Sequence, residues 1–177
     1  LKNGYVAMMV LGIFIYVGAE VCISAGTPLL LKANFGVDIA RLGLLGTGLF
    51  FLALTIGRFS GGLIMNWLSP QKTFVGTCLL SLLGLAGLFV HSRTVAVAAV
   101  FIVGLGFANV FPLIFSITID KMPEHANALS GLMVMAIAGG AILPLVMGLV
   151  SDKFSVTAGF LVPAAAMLYV GWLALMN

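Results

Sequence analysis

Six apolar runs, at about residues 5–31, 42–67, 73–90, 94–118, 127–150 and 156–176, leave this 177-residue chain few ways to fold. Each is long enough to cross a bilayer core of roughly 30 Å as a helix, which takes about 20 residues. The connections are short and gather nearly all the polar residues: Lys32 to Arg41, Ser69 to Lys72, His91 to Arg93, Asp120 to His125 and Ser151 to Lys153. In hydrocarbon every backbone polar group must be satisfied internally, so only helices and closed barrels cross. Barrel strands would appear as alternating segments of about ten residues, and the runs here are longer and do not alternate. The expectation is an all-α membrane protein with six transmembrane helices.

Composition narrows the function classes. The chain is 62% hydrophobic and 7% charged, whereas a soluble domain carries about a quarter charged residues. A net charge of +3, spread over several loops, gives no footprint for nucleic acid. Cys22 and Cys78 lie inside apolar runs without a CxxC pair and read as packing residues, not a disulfide or metal site. No Walker A, HExxH or Ser-His-Asp set lies at membrane depth, and His91 and His125 fall in loops. An enzyme, a cofactor and a bound metal are therefore not expected. Turn chemistry at Pro70, Pro123 and Asn34–Gly36 agrees with the loop positions. Trp67, Tyr169 and Trp172 lie near span ends, where amphipathic rings favour the headgroup region. The chain begins at Leu1 and enters a span almost at once, as expected of a piece of a longer protein.

Of the thirteen charged residues, only Glu20 and Arg58 lie well inside a span. An ionised group at the bilayer centre costs about 2.5–3.5 kcal/mol even on the lenient insertion scale, so such residues default to function. The loop charges do not decide orientation. Lys2, Lys72 and Lys121 fall on one side, and Lys32, Arg41, Arg93 and Lys153 on the other.

The chain also resembles itself. GTPLLL (26–31) and VFPLIF (110–115) sit late in the first and fourth runs and place Pro28 and Pro112 eighty-four positions apart. LIMNWLSPQK (63–72) and LVMGLVSDKF (145–154) align at an offset of eighty-two, which also pairs Gly57 with Gly139. Two three-helix units, about 1–90 and 91–177, follow. An odd number of spans per unit makes them inverted, and Gly/Pro-interrupted spans at matching positions point to a substrate site. The plain alternative is that Gly and Pro are frequent in membrane helices.

In the first run Tyr16, Glu20, Ser24 and Thr27 fall within roughly an 80° arc of one helix face. Hydroxyls around a carboxylate suit a polyol, each of whose hydroxyls both donates and accepts. Ser24 and Thr27 alone would equally serve as a buried polar seam between helices. Pro28 removes an internal hydrogen bond and strips the residue 24 carbonyl of its donor, so the helix is expected to loosen there. The second run carries Thr47, Thr55, Arg58, Gly62 and Asn66 on one side. Arg58 and Glu20 differ in depth by about 8 Å at 1.5 Å per residue. Direct pairing is therefore disfavoured, and a carboxylate from outside this chain is an equal candidate for Arg58. In GLGFANVFPLIFS (104–116), Asn109 and Ser116 share a face, with Pro112 between them and Phe111 and Phe115 beside it. An amide can orient hydroxyls, and aromatic faces can pack on a sugar ring; ordinary packing is the other reading. Gly139 and Gly140, before Pro144, serve close packing or a rocking motion.

With these residues in place, the chain resembles the carboxy-terminal half of a major facilitator superfamily transporter. More narrowly it is similar to the fucose/glucose/galactose–proton symporter family. The likeness rests on YVGAE (16–20), GRFSG (57–61), PLIFS (112–116) and VMAIAGGAILP (134–144) followed by Ser151-Asp152, in this order along nearly the whole chain. It implies six helices lining one side of a central sugar cavity in the cell (inner) membrane, termini in the cytoplasm, with a six-helix amino-terminal half as partner. It also implies a proton as coupling ion, with the family's proton-carrying acid in that other half. Asn66 stands where the superfamily's loop motif commonly has an acid. The substrate-facing candidates are Tyr16, Glu20, Ser24, Thr27, Asn109, Phe111 and Phe115. Arg58, Pro28, Pro112, Gly139 and Gly140 are candidates for gating or helix contact. A reading from another class is a non-transporting membrane subunit or scaffold that uses its Gly-rich helix faces for partner contacts.

Overall fold

The computed structural model describes residues 4–38, 41 and 43–177. Lys2, which entered the charge comparison, lies outside the described residues, as do Ile39 and Ala40 of the first connection and Leu42 at the expected start of the second run. All spans are helical. The first, Gly4–Phe35, runs straight through Pro28 and continues about two turns beyond it, so the expected loosening does not end the helix. The reason is a replacement donor: the Thr47 hydroxyl donates to the Ser24 carbonyl at 2.8 Å. The helix stops at Gly36, whose φ of 58° is left-handed and whose N–H donates to the Lys32 carbonyl at 3.0 Å. Glycine closes a helix this way because it lacks the Cβ that would clash.

The second span begins as a π-helical segment, Gly43–Gly48, and becomes regular over Leu49–Ile64. The third, Pro70–Gly87, is capped by Ser69, whose hydroxyl accepts from the Lys72 N–H at 3.4 Å. Proline at the first helical position sacrifices no internal bond. Five helices among the described residues are long and apolar enough to cross a membrane on their own. The third is not in that set, because its 18 residues include the polar turn Pro70-Gln71-Lys72; it packs between the fourth and sixth spans. The fourth span, Arg93–Lys121, is interrupted at Ala108–Asn109. The fifth, Pro123–Lys153, narrows to a 3-10 turn at Ala136–Ala138 just before Gly139, and the sixth is Val156–Met176.

Burial separates the helices by role. Within the apolar stretches, 50% of the first span and 61% of the fourth are buried, against 28% of the second and 22% of the fifth. The first and fourth are thus the central pair, and the second and fifth flank them with a face left open. Tyr16, Phe50 and Phe107 knit the centre, all fully buried, with Phe107 5.5 Å from the Tyr16 ring and 6.1 Å from the Phe50 ring. Cys22 and Cys78 are buried and unpaired, as packing residues are.

Candidate functional site: a charged cavity at a broken helix

The polar stripe of the first span divides by what each group touches. Thr27 is fully buried and donates to its own helix at Ile23, 2.6 Å away. Ser24 donates to Val21 at 3.1 Å. The Tyr16 hydroxyl crosses to the fourth span and donates to the Phe107 carbonyl at 2.7 Å. Glu20, the fourth member, is half-buried and opens onto a cavity of about 510 Å³ with Val17, Arg58, Phe111, Pro112 and Ile137.

The break in the fourth span is where the expected residues converge. Pro112 has no N–H to give the Ala108 carbonyl four residues back. That carbonyl accepts instead from Arg58 Nε at 3.4 Å. Asn109, only 6% exposed, donates from Nδ2 to the Gly57 carbonyl of the second span at 2.8 Å. Its seat is Gly61, where any Cβ would collide with the Asn109 side chain. Asn109 therefore stands behind the cavity wall, joining two helices. Phe111 is on the wall, and Phe115 stacks on it one turn away, with centroids 6.1 Å apart and planes 18° apart. Ser116 donates within its own helix, to Leu113 at 3.3 Å. Gly139 and Gly140 meet the face of the first span that carries Phe14, Val17 and Val21: a Cβ at Gly139 would strike the Phe14 carbonyl, and one at Gly140 would come 3.2–3.3 Å from Val21 and Val17. That contact brings Ile137 to the cavity.

Glu20, Arg58, Phe111 and Pro112 thus meet in one opening. Tyr16 and Asn109 brace it, and Ser24, Thr27 and Pro28 lie further along the first span. Sequence reasoning missed Val17 and Ile137 as wall residues, and Thr47 as a donor to Ser24. The signal for Thr47 was present, since Pro28 announced a carbonyl that would need a partner. An apolar crevice of about 240 Å³ lies elsewhere on the first span, between Cys22, Gly26, Pro144 and Met147. Its acid, Asp152, falls in the last turn of the fifth span, so the charged cavity is the chemical candidate. The Tyr16→Phe substitution is expected to cost about 1–3 kcal/mol, the penalty of leaving a buried acceptor without its donor. Thermal unfolding of the purified protein in detergent checks this; an unchanged midpoint would mean the Phe107 carbonyl does not depend on Tyr16.

A charged opening on one face of an all-helical bundle, beside a proline-broken central helix, defines a polytopic membrane protein with a polar working face. Residues 9–177 match the family model of the Major Facilitator Superfamily, and the chain belongs to that superfamily. It is 31% identical over 173 residues to a glucose/galactose transporter of Brucella abortus, covering 94% of this chain and 41% of that protein. It is also 31% identical over 170 residues to a putative glucose/galactose transporter of Helicobacter pylori, covering 93% and 42%. The chain therefore spans about two-fifths of the length of these relatives. The crystal structure of the superfamily transporter FucP in the outward conformation superposes with a TM-score of 0.92 at 23% identity, covering 99% of this chain and 43% of FucP. The E. coli fucose:proton symporter FucP, in a second structure, gives 0.91 at 24% identity with the same coverage. At that identity the likeness establishes the fold, half of a major facilitator.

Proposed function

We propose that this chain forms one wall of the central cavity in a proton-coupled hexose or deoxyhexose symporter that works by alternating access. The observation that carries the reading is the placement of Glu20: a carboxylate at membrane depth, aimed into a cavity large enough for a monosaccharide, with an aromatic face on the same wall. A carboxylate accepts from several hydroxyls at once, and Phe111 offers an apolar surface to a ring. The names of the relatives, glucose/galactose transporters at 31% identity, support the substrate class. Glu20 and Phe111 meet the sugar, with Phe115 backing Phe111. Tyr16, Ser24, Thr27 and Asn109 shape the wall through the hydrogen bonds they already make. The partner is a six-helix amino-terminal half of the same protein, which supplies the facing wall and the main proton-carrying acid. The two units, about 1–90 and 91–177, are inverted repeats with termini in the cytoplasm of an inner-membrane protein.

Hexose uptake by the full-length carrier in vesicles tests this. A hydrogen bond to a charged acceptor contributes about 1.5–3 kcal/mol, and about 1.4 kcal/mol is tenfold in affinity. Glu20→Gln, which keeps the shape and removes the charge, is expected to weaken apparent sugar affinity at least tenfold. Wild-type uptake with unchanged affinity would sink the ligand role.

A further inference from the structure

The two central helices each carry a proline, and each proline takes away one internal hydrogen bond. Pro28 strips the donor from the Ser24 carbonyl, and Pro112 strips it from the Ala108 carbonyl. A carbonyl left bare at membrane depth is costly, because lipid has nothing to offer it. Both are satisfied by side chains of one helix. Thr47 Oγ1 donates to Ser24 at 2.8 Å, and Arg58 Nε donates to Ala108 at 3.4 Å. Eleven residues separate these donors, about 16 Å of helix, and on a regular helix that spacing brings them to nearly the same face. The second span is also seated closely on both breaks. A Cβ at Gly46 would lie 2.9 Å from the Pro28 ring, and one at Gly57 3.0 Å from the Leu105 carbonyl oxygen. Its π-helical opening, Gly43–Gly48, is the part that meets Pro28.

We propose that the second span is a two-point brace: Thr47 and Arg58 are positioning residues that carry the hydrogen bonds removed by Pro28 and Pro112. The course of both central helices past their prolines is thereby set by where the second span sits. A shift of the second span along its axis draws on both caps together, so the two proline sites change as a unit. The two ends are not equivalent. Thr47 is half-buried with a short bond, whereas Arg58 is exposed on the cavity wall with a long one. The cap on the fourth span is therefore the one open to the cavity contents. The bracing follows from the geometry; its consequence for turnover rests on the alternating-access reading above.

The test is a pair of double-substitution cycles in the full-length carrier, read by amide hydrogen exchange over residues 20–30 and 104–116 without sugar. Thr47→Val is nearly isosteric and is expected to speed exchange around residues 24–28 at least tenfold, while Thr47→Ser keeps the hydroxyl and leaves it at the wild-type rate. Pro28→Ala returns an N–H to the Ser24 carbonyl, so adding Thr47→Val to that background is expected to change exchange less than twofold. Arg58→Met and Pro112→Ala form the matching cycle over residues 104–116. If Arg58→Met yields no folded carrier, Pro112→Ala must recover folding. In hexose uptake, Thr47→Val is expected to slow the saturated rate with apparent affinity shifted less than twofold. Equal losses in the proline and alanine backgrounds, failure of Thr47→Ser to behave as wild type, or no recovery by Pro112→Ala would overturn the brace. Exchange that follows the cycles in a carrier that binds no hexose would instead sink the sugar reading and leave the brace standing.

Discussion

Gly139→Val is expected to lower the unfolding midpoint of the protein sharply. A Cβ at this position would overlap the carbonyl of Phe14 in the first span, and that neighbour is backbone, which cannot rotate away as a side chain would. The first span must retreat from the fifth, and the contact has close partners: a Cβ at Gly18 would lie 2.8 Å from the Gly139 carbonyl oxygen and 2.6 Å from the Leu143 Cβ. Membrane helices gain nothing from hiding apolar surface from lipid, so association depends on such close approach. Overpacking commonly costs 1–3 kcal/mol even where side chains can adjust. Against a rigid backbone the loss should reach about 3 kcal/mol or more, a large part of a typical 5–15 kcal/mol stability. Gly131→Ala is the control, since nothing lies within 4 Å of that position. Size-exclusion profiles and unfolding midpoints of the detergent-purified carrier provide the comparison. Equal behaviour of the two variants would show that the first and fifth spans do not rely on this contact.

The six-span reading rests on the physics of lipid, which demands long helical spans, and the run boundaries lie close to the helices found. Glu20 was legible for the same reason: one acid in an apolar run has few innocent explanations. The likeness to sugar–proton symporters of the major facilitator superfamily was carried by short motifs such as YVGAE (16–20) and GRFSG (57–61), and the family match over residues 9–177 agrees with it. Periodicity told which face Tyr16, Ser24 and Thr27 occupy but not what that face meets. Tyr16 finds its acceptor 91 residues away, and Asn109 finds its own 52 residues away. Such pairings depend on how helices cross, which no local pattern encodes. Pro28 was legible as a lesion and misleading as a boundary. The helix survives because a threonine on another span repairs it, whereas the fourth span breaks ahead of Pro112 despite the contact from Arg58. Local chemistry thus names the missing bond, and tertiary structure decides whether the helix continues there.

The second large effect concerns Gly61 and Asn109, which share one volume. A Cβ at Gly61 would fall on the Asn109 amide, so Gly61→Ala forces that side chain out of its seat and breaks its donation to Gly57. Two costs combine: overpacking, about 1–3 kcal/mol, and a buried amide without its acceptor, about 1–3 kcal/mol. A total near 3 kcal/mol is expected, seen as a markedly lower unfolding midpoint. Asn109→Ala alone loses the hydrogen bond but leaves the Gly57 carbonyl within a regular helical stretch, so about 1–2 kcal/mol is expected. The decisive measurement is the double substitution. With the amide removed, the methyl group at position 61 has room, and Gly61→Ala should then cost less than 1 kcal/mol, near what a helix-favouring replacement of glycine allows. Additive losses in the cycle would mean that the two residues do not compete for this space. Strong non-additivity would establish that the second span is held against the broken fourth span by one amide in a glycine seat. The same contact adjoins the one from Arg58 to Ala108, and Arg58 shares the cavity with Glu20.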